Sequence, residues 1–239
     1  MAKKKQKQKL PEKKSNTNLI YAVLALIVIA AIIFAMSSGN NESVKKDEHV
    51  PSDGTFVKLN KPGTYEPGKV KITEFLKFNC GHCNEVNKLM PDLEKKYGDK
   101  VEITYVPMLW RTMAADQPFR KSIEAYILAE ERGKGEEMKS ALFKAVFVEG
   151  KDLSSLIVLE DTGRSVGLDD DFVTALKNGD ASGRAEANIR LGEEYQVSYT
   201  PTFIINGNLM VDFSPGMGIL NANQMINNLD TIIGSLLSQ

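Results

Sequence analysis

Cys80 and Cys83 are the only cysteines in the chain, and they are spaced C-x-x-C. Before them Val70, Ile72, Glu74 and Leu76 alternate with Lys71, Thr73, Phe75 and Lys77, the two-residue period of a strand. After Cys83 the apolar spacing lengthens to Val86, Leu89, Leu93 and Tyr97, a helical stripe. The first cysteine therefore falls at a helix N-terminus, where unpaired N–H groups and the macrodipole favour an anion. A thiol in that setting can titrate far below its usual ~8.5, and the thiolate is the reactive species. Cys83, one helical turn on, returns to the same face and can close a disulfide. The chemistry implied is reversible dithiol–disulfide exchange, with Cys80 as nucleophile and Cys83 as resolving thiol.

Two further residues could tune that exchange. His82 lies between the cysteines and can set an imidazole beside the Cys80 thiolate; the alternative is an exposed helix residue. Glu74 shares a strand face with Val70, Ile72 and Leu76, so it points into apolar surroundings, where a carboxyl holds its proton towards neutrality. The alternative is a carboxylate drawn out to water by Lys71 and Lys77. A C-x-x-C can also be half of a zinc site, but zinc wants four ligands and only His82 and distant His49 could join. A purely structural disulfide is the other competitor, although so short a loop constrains little of the unfolded chain. No metal and no cofactor are expected.

The elements that must carry these residues read as α/β. Thr55–Leu59, Lys69–Leu76 and Val101–Val106 have strand character, and the helix from Cys80 ends at Tyr97 before Gly98. Ala114–Gln117 reads as a loop. Helical spacing then covers Pro118–Arg132, Glu136–Phe147, Leu153–Val166, Asp170–Lys177 and Ala181–Tyr195, an insertion at about 112–195 that interrupts a β-α-β unit. Trp110, Phe119, Tyr126, Phe143 and Phe147 read as core. Strand Phe203–Ile205 precedes the hairpin signal Asn206-Gly207 and a return strand Leu209–Phe213, and Ala222–Leu237 closes the chain as an amphipathic helix.

A different composition precedes this domain. Residues 1–18 form a basic tail with seven lysines among the first fourteen positions, and Leu19–Met36 is an uncharged apolar run. That run exceeds the ~7–15 residues of a signal-peptide core and approaches the ~20 that span a bilayer. A single transmembrane anchor at 19–36 is expected, lysines inside and the domain outside; cleavage at the small-x-small site Ala35-Met36-Ser37 is the alternative. Residues 37–53 read as a flexible linker in which His49 is solvated, and 54–239 as one domain. A net charge of −1 argues against a strongly basic nucleic-acid surface.

Glu74, Cys80-Gly81-His82-Cys83 and the strand before them resemble the thioredoxin superfamily, and the Gly-His dipeptide is similar to that of protein disulfide isomerases. The wider pattern from Gly54-Thr55-Phe56-Val57 through Gly68-Lys69-Val70, with the long helical insertion, resembles DsbA-type thiol oxidoreductases more. That resemblance implies a thioredoxin fold with an inserted helical subdomain, here preceded by the anchor. It implies that Glu74 is a buried proton carrier and that Thr200-Pro201 is the cis-proline loop facing the cysteines and offering a backbone edge to substrate. Thr200 stands where many relatives carry valine, and Gly81 where the commonest dipeptide has proline.

The function expected is an extracytoplasmic oxidoreductase that introduces disulfides into exported proteins through a mixed disulfide on Cys80. It acts from the periplasmic or extracellular side of the cytoplasmic membrane and is re-oxidised by a quinone-linked DsbB-like partner. A membrane-anchored reductant or isomerase, for example in cytochrome c maturation, is the neighbouring reading, and a non-catalytic peptide-binding chaperone a more distant one. With no separate dimerisation domain in view, a monomer is expected.

Overall fold

The computed structural model describes residues 49–239. The expected basic tail, the anchor at 19–36 and residues 37–48 of the linker lie outside the described residues.

Five strands form one sheet in the order β1-β5-β4-β2-β3. These are β1 (Val57–Lys58), β2 (Val70–Leu76), β3 (Val101–Pro107), β4 (Thr202–Ile205) and β5 (Leu209–Val211). β2 and β3 run parallel, and the other pairs are antiparallel. Parallel neighbours need a crossover, and helix α1 (Gly81–Tyr97) supplies it. α1 packs with α7 (Ala222–Leu237), enclosing Val70, Ile72, Val86, Met90, Phe203 and Leu229 in one core. Lys95 and Lys96 occupy the last turn of α1, where cations suit the helix dipole, and Gly98 ends it at φ 53°.

Between β3 and β4 the chain builds the helical subdomain. A 3-10 turn, Ala114–Phe119, leads into α2 (Arg120–Glu130), α3 (Gly135–Phe147), α4 (Leu156–Ser165), α5 (Asp170–Asn178) and α6 (Ser182–Glu194). Their apolar faces enclose a second core with Tyr126, Leu142, Phe143 and Phe172, and it reaches Leu76, Phe78 and Cys83 beneath the C-x-x-C. α4 and α5 meet closely at Gly163, where an added Cβ would lie 2.2 Å from the Phe172 ring. The expected thioredoxin-like α/β fold with a helical insertion is the observed one.

Several boundaries differ for local reasons. Ala114–Gln117 is part of the 3-10 turn rather than a loop. α4 begins at Leu156, not Leu153, because Asp152 accepts hydrogen bonds from the Ser154 N–H and hydroxyl and holds a turn there. β5 stops at Val211 because Asp212 accepts the Ser214 N–H in another such turn. Thr55 lies outside β1 because its N–H and carbonyl both bond to the Asn228 side chain on α7. Phe147 is 40% exposed at the end of α3 rather than core, and Trp110 and Phe119 are half-buried. His49 is not simply solvated: its ring stacks on Tyr65 at 3.4 Å, and nearby Val50 accepts a hydrogen bond from the Gln239 side chain.

Candidate active site

The strand-to-helix junction determines what each cysteine faces. Cys80 is the N-cap of α1, with extended backbone at φ −99° and ψ 122°. Its sulfur accepts the Cys83 N–H at 3.3 Å, the capping role usually filled by an oxygen. Its carbonyl accepts the Asn84 N–H at 3.1 Å, so the cysteine is tied to the first turn through both main chain and side chain. Cys83 is fully buried within the second core, whereas Cys80 is half-buried at its edge.

Across from Cys80 lies the loop that enters β4. The Cys80 thiol donates to the Thr200 carbonyl at 3.2 Å, and the Thr200–Pro201 bond is cis. The Thr202 hydroxyl donates to the Tyr199 carbonyl at 2.8 Å and braces this loop. Hydrogen bonding from the Cys83 side chain outweighs burial at Cys80; with help from the Thr200 side chain, the Cys83 N–H and the charge of His82, it pulls the thiol down to about 6. Cys83 moves the other way: burial first, then the hydrogen bond and charge of Cys80, push its thiol up. The pair therefore divides into a ready thiolate and a buried thiol that keeps its proton.

Glu74 is 2% exposed on β2, opposite Tyr105 of β3 and Phe203 of β4. The lysines that could have drawn it outward are engaged elsewhere, Lys71 with Glu66 at 2.9 Å and Lys77 with Asp116 at 2.6 Å. Burial raises the Glu74 carboxyl to about 8, opposed by the nearby Lys139 ammonium. His82 is exposed and stacks on Phe213, ring centroids 4.4 Å apart, beside the cysteine loop. Cys80, Cys83, Glu74, Thr200 and Pro201 thus converge, bringing together two thiols, a proton-holding carboxyl and the cis-proline loop, and His82 flanks them. Among the described residues no cluster of His, Cys, Asp or Glu is arranged to hold a metal ion.

Over residues 71–224 the sequence matches the family model for the DSBA-like thioredoxin domain. The chain belongs to that family. This DsbA-like chain is 22% identical over 209 residues to the thiol:disulfide interchange protein DsbA of Pseudomonas syringae, covering 87% of this chain and 92% of that one. To the protein of the same name from Burkholderia cepacia it is 23% identical, covering 65% and 71%. Among solved structures, a crystal form of a Pseudomonas aeruginosa DsbA variant superposes with a TM-score of 0.63 at 21% identity, over 78% of this chain and 97% of that one. The Xylella fastidiosa oxidoreductase DsbA does so with 0.63 at 20% identity, over 80% and 100%. At that identity the likeness speaks for the fold.

Other residues of this DsbA-like site do not stand out in the sequence. Lys77 pairs with Asp116 and lies 4.4 Å above the Trp110 ring, while Trp110 donates its N–H to Asp116 and its indole N–H to the Val197 carbonyl. This clamp ties the end of β2, the entry to the helices and the approach to Pro201 into one unit. Its partners are scattered along the chain, and no local pattern marks them. Lys139 had a signal: it sits one turn before Leu142 and Phe143 on the apolar stripe of α3.

Proposed function

We propose that this DsbA-like thiol:disulfide oxidoreductase oxidises thiols of exported proteins through a Cys80–Cys83 dithiol/disulfide cycle. The observation that carries the reading is the placement of the two thiols. Cys80 is half-buried as the cap of a helix N-terminus and accepts the Cys83 N–H, which favours its thiolate, while Cys83 is fully buried, which pushes its thiol up. Stabilising the Cys80 thiolate stabilises the reduced enzyme, which makes its disulfide the more oxidising. A substrate thiolate attacks Cys80 in the disulfide form, and Cys83 leaves with the electron pair and takes the proton that Glu74 holds. A second substrate thiolate then attacks the substrate sulfur of the mixed disulfide and releases Cys80 as a thiolate. Thr200 and Pro201 offer the substrate a backbone edge beside Cys80.

In the return half of the cycle, the Cys80 thiolate attacks a disulfide of a membrane partner, a quinone-linked DsbB-like oxidase. Cys83 passes its proton to Glu74 and attacks Cys80, closing the disulfide and releasing the partner reduced. The lysine-rich tail and the uncharged run at 19–36 support a single-span anchor with the catalytic domain on the periplasmic or extracellular side. Domain 54–239 works there as a monomer on a linker.

Equilibration with glutathione buffers tests the direction. Potentials run from about −120 mV for strong oxidants to about −270 mV for thioredoxin, and this protein is expected at about −180 mV or above. A value as low as thioredoxin's would make it a reductant. Protease added to spheroplasts is expected to remove the domain, and protection of the domain would overturn the topology.

A further inference from the structure

Lys139 is a buried charge that the cycle above leaves unused. It lies on α3, in the inserted helices, yet its side chain is only 3% exposed. Its ammonium sits 3.1 Å from the centroid of the Tyr105 ring and 2.9 Å from the Glu136 carboxylate, which is 59% exposed. Tyr105 stands directly opposite Glu74 in the β2–β3 register, and its hydroxyl donates to Glu94 at 2.5 Å. An ammonium in the core costs stability unless its charge is used, and a methionine would fill the same space without that cost. Its ion pair reaches out to solvent at one end, while the rest of its field falls on the carboxyl beneath the cysteines.

We propose that Lys139 is a positioning residue for disulfide exchange: a positive charge, contributed by the inserted helices, that decides when Glu74 can accept the Cys83 proton. The inference rests on the reading of Glu74 as that acceptor. The step it controls is balanced within the site. The Cys83 proton passes to the Glu74 carboxylate, and the Cys83 thiolate attacks Cys80 in a mixed disulfide. The Cys80–Cys83 bond forms, the bond from Cys80 to the partner sulfur breaks, and that sulfur leaves with the electron pair.

The charged groups around Glu74 act with opposite signs. Lys139 opposes burial by favouring the carboxylate, whereas Glu136 on the same helix and Cys80 and Glu94 on the α1 side favour the protonated acid. Cys83 faces it from α1, Tyr105 from β3 and Tyr126 from α2. Removing the cation and removing Glu136 must therefore move the titration in opposite directions, which a merely structural role of either would not do.

The test uses the reduced full-length protein and oxidised glutathione as the disulfide. Release of glutathione from its mixed disulfide with Cys80 is followed by rapid quenching across pH. Lys139→Met is expected to slow release at pH 7 by about tenfold and to carry the midpoint of the profile to higher pH. Lys139→Arg restores it, Glu136→Gln moves it to lower pH, and Lys139→Met adds nothing in a Glu74→Gln background. Should Lys139→Met fail to fold, Glu136→Gln, changed at the exposed end of the pair, still reads the sign. If Glu74→Gln abolishes the pH dependence while the Lys139 and Glu136 variants leave the midpoint in place, the inference is wrong and the role of Glu74 stands. If Glu74→Gln itself changes nothing, the underlying reading fails and takes the inference with it.

Discussion

The Cys80 thiol meets the Thr200 carbonyl at 3.2 Å although 120 positions of sequence separate them. One residue caps a helix and the other ends a loop beyond the whole helical subdomain. Their approach sets a main-chain acceptor beside the Cys80 sulfur.

Because Cys83 is the buried, protonated member of the pair, its removal leaves Cys80 joined to whatever it has attacked. Cys83→Ser is expected to accumulate mixed disulfides with exported proteins, and Cys80→Ser to accumulate few. Non-reducing gels of cells carrying each variant give the comparison; equal trapping would remove Cys80 as the nucleophile.

The Thr200 side chain ranks ahead of His82 among the influences that lower the Cys80 thiol, and valine removes its hydroxyl while keeping the carbonyl. Thr200→Val is therefore expected to raise the Cys80 titration above about 6 and to make the protein a weaker oxidant. His82→Ala should act in the same direction but less. Ultraviolet absorbance of the thiolate against pH, paired with glutathione equilibration, reads both effects, and a larger shift for His82→Ala would reverse the ranking.

Glu74 should leave a mark on stability as well as on rate. Its carboxyl titrates at about 8 when folded against 4.5 in the unfolded chain, so between those values the folded state holds a proton that the unfolded state has lost. Stability is fully present below pH 4.5 and falls as pH rises towards about 8. Glu74→Gln carries no such proton. The thermal midpoint of the variant minus that of wild type is expected to grow from pH 5 to pH 8. A constant difference would mean the carboxyl does not hold its proton.

The Lys77–Asp116 pair is 12% and 6% exposed, and each partner left alone would be a buried charge. Lys77→Met should cost about 3 kcal/mol in denaturant unfolding. Asp116 also accepts the Trp110 N–H, so the same variant should loosen the approach to Pro201 and slow exchange. Full activity in a destabilised variant would confine the clamp to folding.

Much of this arrangement was legible along the chain because local periodicity carries it. The change from two-residue to helical spacing at Cys80 puts a thiol on a helix N-terminus before any tertiary contact forms. The phase of β2 alone points Glu74 inward with Val70 and Ile72, and the structure finds it 2% exposed. The insertion was equally visible, since amphipathic helices announce themselves over ten or more residues, and it runs from the 3-10 turn at Ala114 to the end of α6 at Glu194. Short elements were less so. Thr55, Leu153 and Phe213 obey strand or helix propensity, but side-chain oxygens of Asn228, Asp152 and Asp212 captured the local backbone instead.

The tertiary structure decided what surrounds the two sulfurs. Nothing local says that Asp116 rather than Glu74 receives Lys77, that Phe213 lies against His82, or that Lys139 reaches Tyr105 from another subdomain. Those outcomes follow from how two separately patterned layers dock. Charge is long-ranged and burial is collective, so the proton affinities of Cys80, Cys83 and Glu74 belong to the packed site. The sequence by itself determined that a dithiol stands at the head of a helix with a carboxyl beneath it. Only packing determined that Cys83 is fully buried, which pushes its thiol up, and that the Thr200 loop lies against Cys80.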